Sequence, residues 1–165
     1  MTLITVFEVP ADADAAFLAG WRRAREPGTT TLHRALRSDV GLRFVEVGAG
    51  EPAPIDLGFP AHRSRYAVVR EDGEPEGSGG VVLIDPQSLT PDEDEPFLVR
   101  WERRHAAFAA QRGYLGTRLY RSAGPAGFRF VEIARWSSPL MVARALREPG
   151  IGTSPAGRAA LYLPV

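Results

Sequence analysis

The apolar residues of this chain fall into short unbroken runs separated by polar, Gly-rich or Pro-rich segments. LITVFEV from Leu3, YAVV from Tyr66 and VVLI from Val81 show no alternation of apolar and polar positions. That pattern predicts strands buried on both faces. Phe17 and Trp21, and again Phe97, Trp101 and Phe108, recur at helical spacing and mark the sheet-facing sides of two amphipathic helices. The second of these carries a start signal in Thr90 and Pro91, acidic residues from Asp92 to Glu95 at its positive end, and Gly113 as its stop. Ser138 and Pro139 open another predicted helix reaching Leu146. The corresponding stretch 48–64, GAGEPAPIDLGFPAHRS, holds too much Pro and Gly for a regular helix.

These elements repeat. Phe17-Leu-Ala-Gly-Trp21-Arg-Arg returns 80 residues later as Phe97-Leu-Val-Arg-Trp101-Glu-Arg. Thr-Leu-His33-Arg-Ala is matched by Arg-Leu-Tyr120-Arg-Ser, and Arg43-Phe-Val-Glu46-Val by Arg129-Phe-Val-Glu132-Ile. Each half then has the order β-α-β-β-α-β, the ferredoxin-like arrangement, with the second helix of the first half degenerate. The expected domains are a first repeat over 1–70, a polar linker EDGEPEGSGG over 71–80, and a second repeat over 81–165. One helical layer per half covers one side of its sheet. The expected fold class is therefore α+β, two ferredoxin-like repeats whose sheets face each other in an intramolecular dimeric α+β barrel.

Composition narrows the function classes. Twenty Arg balance twenty Asp and Glu, so nothing calls for a nucleic-acid partner. No apolar run approaches the roughly twenty residues of a membrane span, and no secretory leader opens the chain, so the expectation is a soluble cytoplasmic protein. The absence of Cys excludes disulfides and thiolate chemistry. Three scattered His residues lack a metal-ligand spacing, and GSGG precedes a strand instead of following one, which makes it a poor phosphate loop.

The LITVFEVP opening, the Phe/Trp helix, the hairpin strands RFVEV and RFVEIARW, and Trp136-x-Ser138 leading into a helix resemble the antibiotic biosynthesis monooxygenase family of dimeric α+β barrels. The resemblance spans nearly the whole chain, once per half. It implies a family homodimer fused into one polypeptide, either a monomeric pseudo-dimer or a homodimer of fused chains. It also implies a choice of activities: cofactor-free oxygenation of aromatic polyketides, polyketide cyclisation, or heme degradation. The heme-degrading branch resembles an Asn on the first strand, a Trp before the second helix and a His within it. Here those positions are Thr5 or Asp85, Trp136, and a site near Ala145, so heme chemistry is set aside.

Cofactor-free oxygenation needs a base, a stabiliser for the resulting anion and an apolar pocket. The leading expectation is oxidation of an anthrone or polycyclic phenol by O2 without a bound cofactor. Supply of a diffusible reduced flavin stays open. His33, counted outward from the turn at Ser38–Gly41, falls opposite Glu46 and makes a Glu-oriented general base; the same count sets Tyr120 near Glu132. A slip of one residue would put these partners on opposite faces. Asp85, before Pro86, is a candidate acid or base or a turn cap. Trp136 offers a flat wall for an aromatic substrate, Arg129 a forked donor for its anion, and His62 a place at the pocket mouth beside the missing helix. The alternative reading makes Glu46 and Glu132 structural hydrogen-bond or ion-pair partners at the interface between the halves. The rival functions are a polyketide cyclase or isomerase on the same pocket, and a non-catalytic barrel that carries a ligand or scaffolds a complex.

Overall fold

The computed structural model describes residues 1–50, 53–77, 79–152 and 157–165. Their elements are β1 (Thr2–Glu8), α1 (Asp14–Ala24), β2 (Thr30–Ala35), β3 (Leu42–Ala49), β4 (Ala61–Gly73), β5 (Val81–Gln87), α2 (Asp94–Ala109), β6 (Tyr114–Ser122), β7 (Phe130–Trp136), α3 (Pro139–Ala145) and β8 (Ala160–Pro164). The order is the one expected for each half. A single 3-10 turn precedes both long helices. Between β3 and β4 the described residues 53–60 contain no helix, as the Pro and Gly content requires. The Glu71–Gly73 segment, expected to open the linker, continues β4.

Two compact units divide the chain. The first comprises Met1–Ala67, Ser122–Gly127 and Tyr162–Val165. Its antiparallel strands run β4, β1, β3, β2, with the end of β8 beside β2. The register Thr5↔Glu46 and Phe7↔Phe44 places Thr5, Phe7, Phe44 and Glu46 on the face toward α1. There Phe17 stacks on Phe44 at 4.3 Å and meets Phe7 edge-on at 5.0 Å. Arg43 grips Asp14 at the start of α1 with a forked pair of hydrogen bonds, 2.9 Å from Nε and 2.7 Å from Nη2.

The second unit comprises Val68–Arg121 and Phe128–Leu161. It holds β5 beside β7 and β7 beside β6, all antiparallel. Every residue of β5 is buried, the two-sided burial that its unbroken apolar run predicts. Asp85 is paired with Glu132, Leu83 with Ala134 and Val81 with Trp136, so these six share one face. The α2 residues Phe97 and Trp101 pack on Leu119 and Phe130, while Phe108 and the α3 residues Val142 and Ala145 pack around Trp136. Thr90 caps the turn before α2 through a reciprocal box with Glu93, and the Ser138 side chain accepts from Met141 N–H at the head of α3. Arg129 holds Asp94 at the start of α2 with bonds of 2.9 and 2.6 Å, matching the Arg43–Asp14 clamp of the first unit.

Candidate functional site

The registers first correct the expected dyads. In the β2–β3 hairpin Leu32 lies opposite Glu46, and His33 lies opposite Val45. The imidazole therefore points away from the Glu46 face, and its Nδ1 lies 3.3 Å from the carbonyl of Val45. Burial lowers its pKa, with that backbone contact pulling weakly the other way. The same one-residue difference separates Tyr120 from Glu132, since Leu119 faces Glu132 and Tyr120 faces Val131. Neither predicted pair is formed. Arg129 is occupied by Asp94, so its guanidinium anchors α2 and is not held out toward an anion. His62 is in strand β4, with Nε2 2.7 Å from Glu8 Oε1, and not in an irregular segment.

Glu46 is held by four donated hydrogen bonds. Arg25 supplies two, from Nε at 2.6 Å and Nη2 at 3.0 Å; Trp21 Nε1 adds one at 3.0 Å and Thr30 Oγ1 one at 3.1 Å. Burial pushes the Glu46 pKa up, but these donors and the Arg25 charge outweigh it and leave the carboxyl below its ordinary range. A carboxylate so saturated is an anchor and a poor proton acceptor.

The second unit is arranged differently. Where Thr5 faces Glu46 in the first unit, Asp85 faces Glu132 in the second. A single cation, Arg104 from α2, serves both acids: Nη2 donates to Glu132, and Nη1 lies 3.5 Å from Asp85 Oδ2. Thr117 Oγ1, at 3.5 Å, also donates to Glu132. Asp85 is 1% exposed, and its Oδ1 accepts no hydrogen bond. Burial pushes its pKa up to about 7; Arg104 pulls it down, Glu132 pushes it up, and the Arg158 backbone N–H, which donates to Pro86 O at 3.1 Å, contributes least. Glu132 is thus fixed on its cation, while burial leaves Asp85 with a pKa of about 7.

Gln87, two residues further along the same face, is fully buried, and neither its Nε2 nor its Oε1 has a partner. Gly157 lies over both side chains, joined to β5 by an isolated bridge to Gln87. A Cβ at Gly157 would sit 2.3 Å from Asp85 Oδ1 and 2.4 Å from Gln87 Nε2, closer than any side chain tolerates, so only glycine lets the two side chains pack there. We expect Gly157→Ala to lower stability by about 1–3 kcal/mol through overpacking, read from urea unfolding.

Along the strands from the acids lies an apolar cluster of Val81, Leu83, Phe108, Ala134, Val142 and Trp136. Trp136 is 0% exposed, edge-on to Phe108 and to Tyr114 at 5.5 Å each. Its Nε1 has no hydrogen-bond partner. The position that the heme-degrading branch fills with His falls near Ala145, which is buried in this cluster and has no ligand atom. The α3 sequence PLMVARA contains no His, so these residues do not fit an imidazole-held heme iron.

Arg25, Arg104, Gln87 and Gly157 escaped the sequence reading. The two arginines had a signal, each following its helix tryptophan by three or four residues, on the face turned toward a strand Glu.

No protein-family model matches the chain, and no curated protein matches its sequence. Solved structures do resemble it. An anthrone oxidase-like protein superposes at TM-score 0.72 and 12% identity over 99% of this chain and 90% of that one. An uncharacterized ferredoxin-fold protein related to antibiotic biosynthesis monooxygenases, from Listeria monocytogenes, gives TM-score 0.58 and 15% identity over 98% of this chain and 93% of its own. The chain has the fold of the antibiotic-biosynthesis-monooxygenase-like ferredoxin proteins. A heme-degrading enzyme from Listeria monocytogenes shares this fold at TM-score 0.58, 15% identity and 98% coverage of both chains. At these identities the likeness to the antibiotic-biosynthesis-monooxygenase-like proteins concerns architecture, and the chemistry rests on the residues of the site. Among the described residues no helix is long and apolar enough to cross a membrane.

Proposed function

We propose that this chain is a fused, two-repeat member of the antibiotic biosynthesis monooxygenase family, with its repeats over 1–70 and 81–165. In this reading it oxidises an aromatic, anthrone-like or polycyclic phenolic substrate with O2 and no bound cofactor. The observation that carries the reading is Asp85: a buried carboxyl with a free oxygen and a pKa near 7, beside an apolar wall. The matched clamps Arg43–Asp14 and Arg129–Asp94 support the duplication, as does the equivalent placement of Glu46 and Glu132.

The base in this mechanism is Asp85. His33 is turned away from Glu46, and Glu46 is saturated by donors. Ionised Asp85 takes a proton from the substrate, leaving an electron-rich anion that reacts with O2. Arg104 keeps the paired acids from carrying two uncompensated charges, and Trp136 with its apolar neighbours packs along the same strand face as the acids. The first repeat, with Thr5 in the place of Asp85, keeps the scaffold and loses the base. Its role is then structural.

Oxygen consumption with anthrones and polycyclic phenols, without added cofactor and with mass analysis of the products, tests the reading. Uptake matched by quinone formation supports it. A dehydrated or cyclised product without uptake would instead identify a cyclase, and ligand binding without turnover a carrier. If uptake appears only with reduced flavin, the cofactor-free step is wrong.

A further inference from the structure

We infer that Gln87 is the hydrogen-bond donor that receives the negative charge formed on a substrate oxygen when Asp85 removes a proton from the adjoining carbon. The inference rests on the reading of Asp85 as the base and goes beyond it, because it concerns a proton-transfer step that needs no oxygen.

A primary amide that is fully buried with both polar atoms unpartnered is costly, since each such atom forgoes the hydrogen bond it had in water. Asp85 Oδ1, on the same face of β5, is another buried atom without a partner. The two are not scattered. Both approach the point that a side chain at Gly157 would fill, at 2.3 Å for Asp85 Oδ1 and 2.4 Å for Gln87 Nε2. Thus a donor that cannot ionise and an acceptor that can ionise lie side by side against the bare Cα of Gly157.

Such a pair fits a carbonyl compound with an acidic neighbouring C–H. The C–H bond breaks, the proton goes to Asp85 Oδ1, and the electron pair moves through the carbon framework onto the carbonyl oxygen. Gln87 Nε2–H donates to that oxygen and binds it more strongly as charge develops, which makes the contact catalytic and not merely adhesive. Glu132, fixed on Arg104 and Thr117, has no free part in the transfer. Atoms and electrons balance without oxidant, and the reverse transfer returns a proton to carbon.

The experiment uses the full chain with anthrone as probe in oxygen-free deuterium oxide, following deuterium entry at its methylene carbon. We expect the parent to exchange faster than buffer and Gln87→Leu to slow the catalysed rate about 10²-fold. Gln87→Glu, which keeps the shape and loses the N–H donor, should lose as much. The fold supplies the control. Gln87→Leu removes two buried unpaired polar atoms, so its Tm should rise, whereas an amide kept only for structure would show a fall. The rate limb near pH 7 should persist in Gln87→Leu, because Asp85 is still present. Exchange in either Gln87 variant equal to the parent, a lowered Tm in Gln87→Leu, or a parent no faster than buffer overturns the inference. Anaerobic exchange that depends on Gln87 but is accompanied by no oxygen uptake in air would sustain this inference and end the monooxygenase reading.

Discussion

Replacing Arg104 with alanine should lower the stability of the chain by about 3–5 kcal/mol at pH 8, because two buried carboxylates then lose their shared cation. Asp85 and Glu132 are 1% and 2% exposed, so water does not replace the guanidinium, which also lies over the Phe108 ring at 5.7 Å. The loss should shrink at pH 5, where Asp85 is protonated and one charge is gone. Urea unfolding at the two pH values measures the difference. The double variant Arg104→Met with Glu132→Gln should recover much of the loss, since it removes the cation together with one of the charges it neutralised. Equal destabilisation at both pH values would mean that Arg104 acts through packing alone.

The variant Asp85→Asn should lose turnover by about 10²–10⁴-fold while becoming more stable than the parent at pH 8. Asp85 has a folded pKa near 7, above the ordinary Asp value of about 4, so the folded chain binds its proton more tightly than the unfolded chain does. Its contribution to stability is fully present below about pH 4 and is lost as pH rises to about 7, a change of about 3–4 kcal/mol. Glu46 and Asp94, whose pKa values are lowered, act in the opposite sense as pH falls through the acid range. His33, lowered by burial, also loses stability as pH falls below its ordinary value. These groups are common to parent and variant, so the stability difference between the two isolates Asp85. It should move in favour of Asp85→Asn from pH 5 to pH 8 and level off above. A difference that stays constant over that range would show that Asp85 keeps an ordinary pKa.

The order of strands and helices was legible because periodicity and caps are local. VVLI reads as a strand closed on both faces, and Ser138–Pro139 reads as a helix start, with no knowledge of what lies beside them. The hairpin registers were not legible. The connection from Leu36 to Gly41 is longer than a two-residue turn, so counting outward from it leaves a one-residue ambiguity, and that residue decides which face His33 takes. Asp85 was visible as a candidate, but the Asp-Pro pair suggested a turn cap. Pro86 is accommodated inside β5 because its carbonyl, and so its missing N–H, faces the Arg158 side and not the β7 ladder. The pKa of Asp85 comes from burial and from Arg104 and Glu132, which are 19 and 47 positions away in sequence. Nothing near Asp85 in the chain announces them.

In the proposed duplication the two repeats need not carry the same activity. Both keep the Arg–Asp clamp at the head of the long helix and a buried Glu bound to a helix arginine. Among the described residues, only the second adds an acid beside that Glu, and only there does one arginine serve two carboxyls. A single exchange between Thr and Asp at matched strand positions separates a Glu with its own helix arginine from one that shares that arginine with a second acid.

The most direct test of the central claim is the pH dependence of cofactor-free oxygen uptake with anthrone, measured for the parent chain and for Asp85→Asn in parallel. The account predicts uptake that rises through a limb near pH 7 as Asp85 ionises, with one quinone formed per oxygen consumed, and a variant that folds but loses both the limb and the rate. Uptake by Asp85→Asn at the parent rate, or a parent profile without that limb, would contradict it.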